Sequence, residues 1–171
     1  EAGGNAEIME DGDTSGRSVS LSSDGSIVAI GANNNDGGGN DAGHVRVFSS
    51  DSTAPVFSSA ATSTDGTKVV LTYNETLSST TAATTDFAVT TDGSANAVTA
   101  VAISGSTVEL TLTNTVKNDQ AVTVAYTDPS GSNDANAVQD SAGIDAASLS
   151  STSVTNNSNV AGTAPTFSSA A

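Results

Sequence analysis

Apolar and polar residues alternate with period two along most of this chain, in runs too short and too regular for helices. Residues 68–73, KVVLTY, place Val69, Leu71 and Tyr73 on one face. Residues 107–113, TVELTLT, gather Val108, Leu110 and Leu112 opposite Glu109, Thr111 and Thr113, and residues 121–126, AVTVAY, do the same with Val122, Val124 and Tyr126. Such alternation is the signature of half-buried strands. Weaker runs at 55–60, 86–91, 97–104 and 148–155 bring the expected strands between 53 and 156 to seven. Asp65-Gly66, Asp92-Gly93 and Ser104-Gly105 fall between them, where glycine supplies the positive backbone angle of a tight turn. No stretch shows a 3.6-residue period, and threonine and valine are poor helix formers, so an all-β sandwich is expected.

Self-comparison finds a repeat. TAPVFSSAA at 53–61 returns as TAPTFSSAA at 163–171, eight identities in nine at an offset of 110 residues. That period is the size of one immunoglobulin-like Greek-key sandwich and well beyond the roughly 20–50 residues of solenoid units. The expected organisation is a sandwich module over 53–156, a polar linker at 157–162 (NSNVAG), and the first strand of a following copy at 163–171. A linker so short makes a tandem array a semi-rigid rod, with modules about 35–45 Å long if strands run about 8–10 residues. Alternatively, 163–171 serves as a donor strand that joins molecules head to tail by strand addition.

Residues 1–52 lack this module's pattern and form a small, partial β-sheet segment. RSVSLSS, SIVAIGA and HVRVF alternate cleanly, with Asp24-Gly25 between the first two and the loop NNNDGGGNDAG before the third. SSDGSIVAIGA, that loop and AGHVRVF together resemble the FG-GAP blade of integrin-like β-propellers. The resemblance implies a calcium loop ahead of the middle strand, yet only Asp24 and Gly25 stand at matching positions, so that loop is depleted here. A propeller closes on four or more blades. The expectation is therefore further blades before residue 1, or pairing with the sandwich or another molecule.

The module resembles a second family, the long-repeat bacterial immunoglobulin-like domains of giant cell-surface proteins in swimming and other marine cyanobacteria. TAPVFSSAATSTDGTKVVLTYNETL, TVELTLTNTV and VAYTDPSGSNDANAVQDSAG carry it, over about two-thirds of the chain. The resemblance implies a structural repeat, secreted or at the cell surface, with no catalytic residues to carry over. Ile144 departs from the pattern, standing where such domains often have asparagine after Ala-Gly.

Composition narrows the function. Leu, Ile, Val and Phe make up 32 of 171 residues, while Ser and Thr make up 51, so any core is thin. Four basic against 19 acidic side chains give a net charge of -15, which excludes useful phosphate neutralisation and hence nucleic acid. It also disfavours anionic membranes, and no apolar run approaches the roughly 18 residues of a membrane span. Absent cysteine removes disulfides and thiol chemistry.

Acidic residues crowd at 128–145. Asp128, Asp134 and Asp140, with Asn133, Asn136 and Asp145 nearby, are candidate ligands for calcium, which takes six to eight oxygens. The loop Asn33, Asn35, Asp36, Gly37, Gly39, Asp41 is a weaker candidate because most of its members are neutral. His44 opens an alternating strand, no serine lies in a Gly-x-Ser-x-Gly elbow, and catalysis is not expected. Glu75 and Glu109 read as solvent-facing. The reading is a noncatalytic structural repeat, extracellular or on a bacterial cell surface, whose partners are neighbouring copies of itself. The alternative is a calcium-dependent adhesin or carbohydrate-binding module with a cell-surface glycan as partner. The scarcity of aromatic residues, with no tryptophan, weakens it.

Overall fold

The structure, a computed structural model, describes residues 15–23, 25–35 and 40–162. Two compact units divide between Ser52 and Thr53.

The first unit is an antiparallel sheet of β1 (Ser15–Leu21), β2 (Ile27–Ala32) and β3 (His44–Ser49), in that order. Val19 pairs with Ile30 and Leu21 with Val28, while Val45 and Val47 face Gly31 and Ala29. Both faces therefore carry apolar side chains. Val19, Leu21, Val45 and Val47 are each 61–66% exposed. Among the described residues of this unit only Gly31, Ala32 and Asn35 are buried. Asp24, expected in the first turn, lies outside the described residues; Gly25 beside it takes φ +76°.

The second unit is a two-layer sandwich. Its strands are β4 (Phe57–Thr62), β5 (Lys68–Tyr73), β6 (Phe87–Thr91), β7 (Ser94–Ala95), β8 (Val98–Ser104), β9 (Thr107–Leu112), β10 (Val122–Tyr126) and β11 (Leu149–Val154). A 3₁₀ turn, Thr84–Asp86, precedes β6. One sheet runs β4-β5-β9-β8 and the other β11-β10-β6-β7. Given that β7 is a two-residue edge strand, this is the Greek-key order of an immunoglobulin-like sandwich. All seven strands read from the alternation are present. Only β7 lacked a signal, since two residues carry no period. Apart from β7 the strands run five to seven residues rather than eight to ten.

Alternation also assigned the faces. In β5 and β9 every second residue is buried, and Val69, Leu71, Val108 and Leu110 have no exposed surface. Val124 from β10 and Val116 from the β9–β10 connection close the same core. Fully burying a side chain of this size is worth about 1.5–3 kcal/mol. Tyr126 stacks at 5.1 Å between ring centroids on Phe87, and Phe57 meets Tyr73 edge-on at 6.1 Å. The turn between β6 and β7 has Asp92 at φ 50° and Gly93 at φ 76°, both left-handed as a tight hairpin requires.

The direction of the strands fixes the two ends of the sandwich. β4 starts at one pole, called leading here, and β11 runs parallel to it through the Ala61–Thr155 bridge. Thr62 N donates to Thr155 O at 2.9 Å and Thr155 N to Ala60 O at 2.9 Å. The chain therefore arrives at the leading pole and departs from the opposite, trailing pole. The β10–β11 connection, residues 127–148, lies at the leading pole.

Candidate metal centre and the trailing tail

The 127–148 connection is too long to hold a shape by loop propensity and is fixed by contacts reaching into the core. Val138 is fully buried, and its amide donates to the Tyr126 hydroxyl at 2.9 Å. Ala146 N donates to Val138 O at 2.7 Å and Ser78 N to Gln139 O at 2.8 Å. Burial pushes the Tyr126 phenol up to about 12, so it stays protonated in this role. Tyr126→Phe is expected to leave the Val138 amide unpaired and to cost about 1–3 kcal/mol, read as a lower urea midpoint with unchanged slope. An unchanged midpoint would show that water replaces the hydroxyl.

This scaffold brings Asp128, Asp134 and Asp145 together, each with a carboxylate oxygen within 4.8 Å of the other two. Asp134 N donates to Asp145 Oδ2 at 2.9 Å, and Asp145 N donates to Asn133 Oδ1 at 3.2 Å. Ser130 Oγ donates to Asp134 Oδ2 at 2.6 Å, and Asn136 N donates to Asp134 Oδ1 at 2.7 Å. The Ser130 hydroxyl, followed by the Asn136 amide, holds the Asp134 carboxyl below its ordinary range. Asp145 is the opposite case. Burial first, and then the charges of Asp128, Asp134 and Asp140, push its carboxyl up against the opposing effect of the Asp134 amide.

Asp140, the third residue singled out in the sequence, stands apart from this group. Its Oδ1 accepts the amides of Ala142 at 2.8 Å and Ile144 at 2.9 Å, and its side chain is 2% exposed. An aspartate accepting from the amide two residues on makes an Asx-turn, and Gly143 at φ +80° completes it. The Asp-Ser-Ala-Gly sequence is a turn signal that could have identified this role. Asp145, which takes the third place, had no comparable local mark.

The trailing pole carries a second organised feature. Residues 156–162, within and just before the expected linker, lie bonded along the module. Asn156 Nδ2 donates to Lys117 O at 2.7 Å and Gln120 O at 2.9 Å, while its Oδ1 accepts Thr62 Oγ1 and Ser158 N. Ser158, 5% exposed, donates through Oγ to Val116 O at 2.6 Å. Asn159 N donates to Thr64 O, Asn118 N to Val160 O, and Gly162 N to Asn118 Oδ1. The tail is thus tied to both the β4–β5 turn and the β9–β10 connection. An open polar groove of about 530 Å³ beside it is lined by Asp92, Asn96, Lys117 and Gln120 among others. Asn96 and Gln120 there already bond to neighbouring groups.

Of the remaining candidates, Asp36, Gly37 and Gly39 lie outside the described residues, and Asn35 is 7% exposed with its carbonyl bonded to Gly43 N. His44 starts the edge strand β3, and Arg46 Nε donates to its Nε2 at 3.2 Å. Glu109 pairs with Lys68 across β9 and β5 at 2.6 Å, on the outer face. Tyr73 and Tyr126 are 4% and 1% exposed and offer no platform for a sugar ring.

Residues 50–131 match the family SWM_repeat, described as a "Putative flagellar system-associated repeat". Among solved structures, the N-terminal part of the bacterial S-layer protein SbsC is similar, with 23% identity and a TM-score of 0.49 over 61% of this chain. The chain spans 24% of that structure's length. No curated protein matches. Among the described residues, no helix is long and apolar enough to cross a membrane.

Proposed function

We propose that this chain is a segment of a bacterial extracellular or cell-surface protein and acts as a noncatalytic spacer, copied in tandem into an extended rod. The observation that carries this reading is the tail at the trailing pole. A chain that arrives at one end and departs at the other stacks its copies in line, and a tail bonded to its own module launches the next copy from a fixed point. The nine-residue segment repeated at an offset of 110 supports the tandem arrangement, as does the similarity to a flagellar system-associated repeat. Strand order and the quoted residues favour the long-repeat immunoglobulin-like domains of cyanobacterial surface proteins as the finer identity. The FG-GAP-like reading of the first unit rests on its sequence alone. The partners are neighbouring copies, and the acidic surface keeps such a rod hydrated in salty water, where charges are screened within about 10 Å or less.

Electron microscopy of the native assembly tests the reading: a rod with a regular axial repeat one module long is expected, set by strands of five to seven residues and the loops at both poles, and isolated globules would reject it. The tail has its own test. In wild type, the amides of Asn118, Asn159 and Gly162 are expected to exchange slowly with deuterium. The Asn156→Ala, Ser158→Ala double variant loses bonds to three backbone carbonyls, so their protection should fall while that of Val69 and Leu110 persists. The expected loss of stability is about 2–3 kcal/mol. Unchanged exchange in the tail would mean that it is not held by these side chains.

A further inference from the structure

The module's charges are unevenly placed. Its two lysines, Lys68 and Lys117, both belong to the trailing pole, where β5 begins and the β9–β10 connection runs. At the leading pole stand Glu75, Asp86, Asp128, Asp134, Asp140 and Asp145, with no lysine or arginine of the module among them. Asp128, Asp134 and Asp145 converge there with no basic partner among the described residues. Acidic side chains on a surface commonly repel one another without consequence, because water solvates each one. Two carboxylates are not solvated so: Asp140, outside the cluster, whose Oδ2 is bare, and Asp145 within it, which is 9% exposed and whose Oδ1 is sealed from solvent with no hydrogen-bond donor among the described residues. A buried carboxylate oxygen left bare costs about 1–3 kcal/mol or more, and the two carboxylate neighbours of Asp145 raise that cost. No donor among the described residues relieves it.

We infer that Asp128, Asp134 and Asp145 form a calcium site at the leading pole, with Asp145 Oδ1 as its buried ligand and water completing the coordination. Three carboxylates supply the negative charge that a divalent ion neutralises, and hard oxygen ligands in a loop suit calcium's flexible coordination better than magnesium's strict octahedron. The ion would cross-link residue 128, beside β10, to residue 145, beside β11, across the connection that caps the sandwich. The inference goes beyond the spacer reading and does not depend on it, since a module can bind calcium whether or not it assembles.

The test is calcium itself, added to the full chain at constant ionic strength. Extracellular modules bind calcium with a Kd of about 0.1–1 mM, so 10 mM CaCl₂ is expected to raise the melting temperature of the module by about 5–15 °C. The same concentration of MgCl₂ should raise it far less. Asp145→Asn and, in case that buried change impairs folding, Asp128→Asn are each expected to abolish most of the calcium shift. Asp119→Asn, an equal loss of charge at the exposed trailing pole, should retain it. No shift in wild type, an equal shift with magnesium, or a full shift in both cluster variants would overturn the site. Electron microscopy of the rod reads a different property, so failure of either proposal is separable from the other.

Discussion

Leu110→Ala is expected to destabilise the module by about 3–5 kcal/mol and to leave much of it unfolded at 37 °C. Leu110 has no exposed surface and sits on β9, a central strand, with Val69 beside it on β5 and Val101 on β8. Its truncation removes transfer free energy and leaves a cavity, and neither neighbouring strand can collapse into the gap without losing its ladder. The effect is severe because the core is lean. With alanine, serine and threonine filling so much of the sequence, few large side chains share the burden, and domains of this size retain only about 5–15 kcal/mol in all. The chain has two tyrosines and no tryptophan, and both tyrosines lie in the sandwich. Tyrosine fluorescence during urea unfolding therefore reports this unit by itself. A loss below about 1 kcal/mol would mean that the two sheets are not packed around this residue.

Gly66→Ala is expected to cost about 3–4 kcal/mol, although it adds only one methyl group, at a tight turn. Gly66 adopts φ +68°, and a Cβ built there would lie 2.1 Å from Val116 O and 2.8 Å from Ser158 Oγ. Val116 O is the acceptor for Ser158 Oγ, and Val116 N donates to Gly66 O at 2.8 Å. One methyl thus displaces the β4–β5 turn, the β9–β10 connection and the tail together. Gly105→Ala separates the contributions: Gly105 has φ +58° but open space around its Cβ position, so strain alone applies, about 1 kcal/mol. Thermal denaturation of the two variants should differ clearly. Equal melting temperatures would show that the trailing pole yields to the methyl group and that the tail is not tightly held.

The alternating runs named the buried faces of β5, β9 and β10 residue by residue, because a strand's side chains point to opposite sides whatever it pairs with. They also located the hairpins at Asp65-Gly66, Asp92-Gly93 and Ser104-Gly105, since positive backbone angles restrict the residue types that tolerate them. The acidic loop was visible as a composition. Its geometry was not. Asp134 and Asp145 are eleven positions apart and meet through bonds such as that of the Val138 amide to Tyr126 and that of the Asp134 amide to Asp145, which have no local period. Asp140 resembles its neighbours in sequence, yet one oxygen of its carboxylate, Oδ1, is committed to the amides of its own turn.

The tail shows the same division. NSNVAG has the polarity and glycine of a flexible linker, and composition records nothing of the carbonyls on the β9–β10 connection that wait for its side chains. By itself the sequence determined that this chain is all-β, which residues face inward, and that a segment recurs at a spacing of 110 residues. Those properties follow from short-range stereochemistry and from self-comparison. Only the tertiary structure decided which acids converge, that Asp145 is buried among them, and that the tail is bonded to the pole it leaves. Each of these depends on hydrogen bonds between residues far apart in the chain, whose partners are chosen by the packed sheets and not by their neighbours in sequence.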